Sequence, residues 1–145
     1  MKRREFLRGI VYGAAAVAVM PAYMKGAWST ESFTSEGFDV AIRRALGGAM
    51  IIDSDAVTVT APEVATNSSV VPLEVSADME VDQMFLFVEK NSTPLVYRLD
   101  LKAGMLPWFS IRVKMRESSA VHAIVRSGGI YYRKIVTVEV TSQAC

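Results

Sequence analysis

Cys145 is the only cysteine of the 145 residues and also the last of them. It closes a short polar tail, Thr141, Ser142, Gln143 and Ala144, that follows the strand-like run Ile130 to Val140. Structural cysteines behave as small buried hydrophobes, and the tip of a tail is a poor place to bury one. A thiol there is placed to be handed from one protein surface to another. Residues 141–145 can span ~17 Å fully extended, at ~3.3–3.6 Å each. Two roles are open to such a thiol: a covalent carrier, or a non-carrier module whose cysteine makes an intermolecular disulfide or does nothing.

Other chemistry is thinly represented. His122 is the sole histidine and lies between Val121 and Ala123, which reads as a satisfied structural histidine on a strand. A histidine metal site or a Ser-His-Asp triad needs partners that are concentrated nowhere in the chain. Asp53 and Asp55, and separately Asp78, Glu80 and Asp82, are acids spaced by two, read as solvated strand edges. Three of the eight methionines fall in the first 24 residues, and the other five read as core filling. No metal, no cofactor and no self-contained catalytic constellation are expected.

The N-terminus sets the compartment. Lys2-Arg3-Arg4-Glu5-Phe6-Leu7-Arg8 precedes a Gly/Ala-rich apolar stretch from Gly9 to Met20. At about 12 residues that stretch is short of the ~20 a transmembrane helix needs, so it reads as a signal segment. Arg3 and Arg4 with Phe6-Leu7 look like a twin-arginine signal, and Ala27-Trp28-Ser29 offers a cleavage site after Ser29. A periplasmic mature domain without stable membrane insertion is therefore expected. Residues 1–29 hold five basic side chains (Lys2, Arg3, Arg4, Arg8, Lys25) against one acid (Glu5), leaving 11 basic and 14 acidic ones, a net charge of −3. Such a domain carries no nucleic-acid footprint. A lone cysteine in an oxidising compartment has no internal partner, which returns the question to Cys145.

The elements that must position the tail follow from periodicity. Phe38, Ala41, Ile42, Ala45, Leu46 and Ala49 form one helical stripe, with Ser35 or Thr34 as the expected cap and Gly47-Gly48 as the stop. Beyond residue 50 the period falls to two, in runs beginning near Val57, Val70, Met84, Leu95, Phe109, Ala120 and Ile130. Breakers separate them at Pro62, Asn67-Ser68-Ser69, Asn91-Ser92-Thr93-Pro94, Lys102-Ala103-Gly104 and the hairpin signal Ser127-Gly128-Gly129. Seven short strands and one N-terminal helix predict a mainly β protein, an immunoglobulin-like antiparallel β-sandwich over residues 30–140. Val136, Val138 and Val140 share one face of the last strand, expected to be the core face.

From about Phe33 onward the chain resembles the SoxY family, the sulfur-carrier subunit of the Sox thiosulfate-oxidation system. The resemblance rests on Arg3-Arg4-x-Phe6-Leu7; on Pro62-Glu63-Val64-Ala65-x-Asn67 followed by Val71-Pro72-Leu73; on Asn91-Ser92-Thr93-Pro94; on Ser110-Ile111-Arg112-Val113-Lys114-Met115; and on Val136 to Thr141 with Cys145 four residues later. It implies an immunoglobulin-like domain that pairs with a cysteine-free SoxZ-like subunit and carries no cofactor. It also implies that Cys145 bears the sulfur intermediate, loaded oxidatively by a haem enzyme and relieved of its sulfone by a hydrolase. One departure stands out: family members end Gly-Gly-Cys-Gly-Gly, whereas this chain ends Ser142-Gln143-Ala144-Cys145. Gln143 and Ala144 make a stiffer arm than glycines. The terminal carboxylate, ~5 Å from the thiol in water, disfavours the thiolate by ~0.8 kcal/mol.

Overall fold

The computed structural model describes residue 33 and residues 35–141. One helix, α1 (Phe38–Leu46), precedes nine strands: β1 (Ile51–Asp53), β2 (Val57–Thr60), β3 (Val64–Ala65), β4 (Val71–Ala77), β5 (Gln83–Val88), β6 (Leu95–Asp100), β7 (Trp108–Val113), β8 (Ser119–Ser127) and β9 (Ile130–Val140). The seven period-two runs are all strands. They form two packed sheets, one in the order β1-β9-β8-β5-β6 with β3 also on β9, the other β2-β4-β7. Every pairing among the seven is antiparallel. β1 and β3 are additions of three and two residues, and both run parallel to β9, one near each of its ends.

The larger sheet is buried on both faces. Met84, Leu86, Val88, Val121, Ala123, Val125 and Val138 meet Val57, Leu73, Val75, Phe109 and Val113 of the smaller sheet. Phe85, Phe87, Leu95, Ile124 and Tyr131 point the other way, beneath Ala41 and Leu46 of α1. This explains why β5 is almost continuously apolar (Met84-Phe85-Leu86-Phe87-Val88), since each of its faces has a layer to bury against. It also separates the adjacent tyrosines, with Tyr131 under the helix and Tyr132 in the inter-sheet core.

The helix departs from expectation at both ends. Its N-cap is Gly37, with no side-chain cap from Ser35, and Ala49 lies beyond its C-terminus, exposed. Gly47 ends it in the left-handed region, φ 67°, where its N–H reaches the Arg43 carbonyl. Phe38, Ile42 and Ala45 pack on the sheet, so tertiary burial holds the helix more than its caps do. The β8–β9 hairpin turns on Gly128 and Gly129, both at positive φ, which a two-residue turn matched to strand twist requires.

Candidate functional site

Cys145, with Ser142, Gln143 and Ala144 of the expected arm, lies outside the described residues, as do Arg3, Arg4 and the whole of 1–29. What the structure describes is the base from which the arm leaves. Val138 is fully buried and Val136 and Val140 pack against the inter-sheet core, so the valine face of β9 points inward as expected. On one flank of β9 the Glu139 N–H donates to the Glu63 carbonyl (2.9 Å) and the Thr141 N–H to the Ala65 carbonyl (3.1 Å). On the other flank the Val140 N–H donates to the Ser118 hydroxyl (2.8 Å). The Thr141 hydroxyl also reaches the Ala65 carbonyl (3.4 Å). Thr141, expected to begin the arm, is thus tied to the domain. The four residues beyond it can span at most ~13–14 Å.

A polar groove of about 580 Å³ opens beside Thr141, lined by Thr66, Asn67, Ser68, Lys90, Arg116 and Ser118 among others. The Asn67 carboxamide accepts the Ser69 N–H (3.0 Å), which shapes the turn entering β4. Neither Lys90 nor Arg116 has an ion-pair partner among the described residues. Hydroxyl groups, the cations Lys90 and Arg116 and one acid, Glu117, line this end, so it carries a small positive excess on a domain that is acidic as a whole.

The remaining candidates do not gather around it. Asp53 meets Arg133 (2.7 Å) and Asp55 meets Lys134 (2.6 Å), and these hydrogen bonds hold both carboxyls below their ordinary range. Asp82 is drawn to Arg126 with the same consequence. Among the described residues no three potential ligands converge on a point that could hold a metal. His122 departs from expectation. Its ring is buried and lies tilted against Phe38 (4.5 Å between centroids, 38° between planes), and Nε2 meets Glu89 (3.0 Å), but Nδ1 has no partner among the described residues. Burial pushes its basicity down, and Glu89 only partly offsets this. The methionines divide: Met84 and Met115 fill the core as expected, whereas Met50 and Met105 are exposed.

Residue patterns missed the residues that build the base. Ala65 acts through its carbonyl, and Ser118 shows only as one serine of a polar stretch before β8. Lys90 and Arg116 are ordinary surface cations until the fold places them in one groove. The only legible signal was Asn67, within the Pro62 to Leu73 motif.

The family model for SoxY, a sulfur oxidation protein, matches residues 42–145. The chain belongs to the SoxY family. A solved structure of the sulfur carrier protein SoxY from Chlorobium limicola f thiosulfatophilum is 32% identical, covering 71% of this chain and 94% of its own, with a TM-score of 0.66. A superoxide reductase (neelaredoxin) from Ignicoccus hospitalis, 13% identical with a TM-score of 0.53 over 73% of this chain and 90% of its own, shares the sandwich fold alone. No curated protein sequence matches the chain. Membership of the SoxY family supports a sulfur-carrier role in sulfur oxidation, within a Sox-type system. Among the described residues no helix is long and apolar enough to cross a membrane.

Proposed function

We propose that this protein is a periplasmic covalent carrier: sulfur-oxidation intermediates ride on the Cys145 thiol and are presented to partner enzymes, with a SoxZ-like subunit as its heterodimer partner. The observation that carries the reading is that the SoxY family match runs through to residue 145 and so includes the cysteine. The base of the arm supports it, because β9 is bonded on both flanks up to Thr141, four residues before Cys145.

The chemistry divides between the arm and its clients. Joining a thiol to a thiosulfate-class anion makes an S–S bond and releases one proton and two electrons, so an electron-accepting enzyme must load the arm. Hydrolysis of the terminal sulfone then needs only water. The carrier's own task is to supply a thiolate and to bring it within reach. Lys90 and Arg116, opposed in the same groove by Glu117 alone, favour an anionic adduct near the base of the arm. The protein is thus a carrier subunit and not an enzyme in its own right.

Intact mass spectrometry of protein from its native periplasm tests this directly. Adducts of sulfur, sulfite or thiosulfate are expected on a chain beginning after Ser29, removed by reductant and absent from Cys145→Ser. A uniformly free thiol, together with undiminished sulfur oxidation in Cys145→Ser, would overturn the reading.

A further inference from the structure

A second groove lies between the two sheets on one side of the sandwich. β6 ends the larger sheet and β7 ends the smaller one, so among the described residues each has an unpaired edge there. The slot between them has a volume of about 850 Å³, and Val96, Tyr97 and Ile111, all half-buried, line it. Tyr97 rests on Phe109 (4.6 Å between centroids), so this lining continues into the core.

The rim is basic. Arg112, Lys114 and Arg116 are exposed at every second position, while Ile111, Val113 and Met115 between them turn inward. Arg112 lies in β7, Lys114 follows its end, and Arg116 sits in the bend beyond. None of them has an ion-pair partner among the described residues, whereas Arg98, Arg126, Arg133 and Lys134 each sit on a carboxylate. An uncompensated cationic row on an acidic domain calls for negative charge from elsewhere.

The slot is also preformed. The Asn91 carboxamide donates to the Lys114 carbonyl (2.7 Å) and accepts the Arg116 N–H (2.9 Å). It therefore ties the β5–β6 loop to the chain leaving β7 and sets the separation of the two rims at that end. A held-open slot spares an incoming segment part of the ordering cost of binding.

We infer that the slot between β6 and β7 is a docking site for an extended, acidic segment of a partner polypeptide. The segment adds to the β7 edge, sets one carboxylate against Arg112 and others against Lys114 and Arg116 just past the end of β7, and turns its apolar residues onto Val96, Tyr97 and Ile111. β6 and β7 are six residues long, which sets the length of segment taken. Arg116 also lines the groove at the root of the arm, so a partner seated in the slot lies against the arm's base. This inference goes beyond the carrier reading and does not depend on Cys145.

The test is a titration of the ¹⁵N-labelled full chain, kept reduced, with the acetylated and amidated peptide Thr-Glu-Val-Glu-Val-Glu-Thr. The counterpart carrying lysine for glutamate is the control. Saturable amide shifts are expected along β6 and β7 and through residues 112–116, weakening as ionic strength rises. The double variant Arg112→Glu/Lys114→Glu should weaken binding roughly tenfold or more. All three side chains are exposed, and an unchanged urea midpoint shows that the fold is intact. Cys145→Ser should bind as the wild type does, which separates this result from the fate of the carrier reading. If the glutamate peptide produces no saturable shift at these strands, or the lysine peptide binds as well, the inference is wrong and the cations only guard two open sheet edges.

Discussion

Replacing Ser118 by alanine isolates the clip that holds the base of the arm. The Val140 N–H has one partner, the Ser118 hydroxyl at 2.8 Å, and that hydroxyl faces the Val140 carbonyl at 3.5 Å. A hydrogen bond of this kind contributes a net ~0.5–1.5 kcal/mol. Because a tenfold change in equilibrium corresponds to ~1.4 kcal/mol, local opening at Val140 should rise by about 2- to 12-fold. Glu139 and Thr141 bond to β3 on the opposite flank, so their amides should respond less. Native-state hydrogen exchange followed residue by residue reads all three, while urea unfolding should register a global loss of no more than ~1.5 kcal/mol. A Val140 amide as protected in Ser118→Ala as in the wild type would refute the reasoning that this side chain terminates the fixed part of β9. An equal loss at all three amides would do the same, since it would mean that the strand end opens as one unit.

Two further outcomes follow from the packing. Phe87→Ala, which empties a fully buried ring beneath α1, should cost ~3–5 kcal/mol in urea unfolding. A loss under 1 kcal/mol would mean that the helix-side cluster is not a packed core. His122 should make stability depend on pH: its protonation is disfavoured in the folded state, so the unfolded chain binds more protons once the pH drops toward 6.5. Stability is then full above about pH 6.5 and falls below it, by at most ~1.4 kcal/mol per pH unit for one group. Asp53, Asp55 and Asp82 have lowered folded values, so their contribution is present above about 3.8 and is lost only in more acid solution. Urea midpoints from pH 8 to 4.5 in the wild type and His122→Gln should separate the two, and identical slopes would remove His122 as the cause.

Much of this molecule was readable in order of residues alone. Alternation along Val71 to Val75 and Val136 to Val140 announced strands, because one face of each is buried and the other is wet. Gly128-Gly129 announced the hairpin, because only glycine accepts both positive φ values at little cost. The family motifs and the single terminal cysteine mark Cys145 in the sequence itself. Other features depended on contacts distant in sequence. β1 and β3 are too short to carry a period, and exist because β9 offers them an edge about 80 and 75 positions downstream. Whether His122 would be satisfied depended on the space left beside Phe38, which no local pattern encodes.

The side-chain alternation Ile111-Arg112-Val113-Lys114-Met115-Arg116 was set by sequence, and with it the fact that the cations face outward. That they border an open slot was decided by topology, which made β6 and β7 the neighbouring last strands of two sheets. In the same way, the chain order placed a thiol at the end of a polar tail. Only the packed fold determined where that tail begins, because hydrogen bonds from Thr141 and Val140 to Ala65 and Ser118 require residues 22 or more positions away to arrive at the same corner.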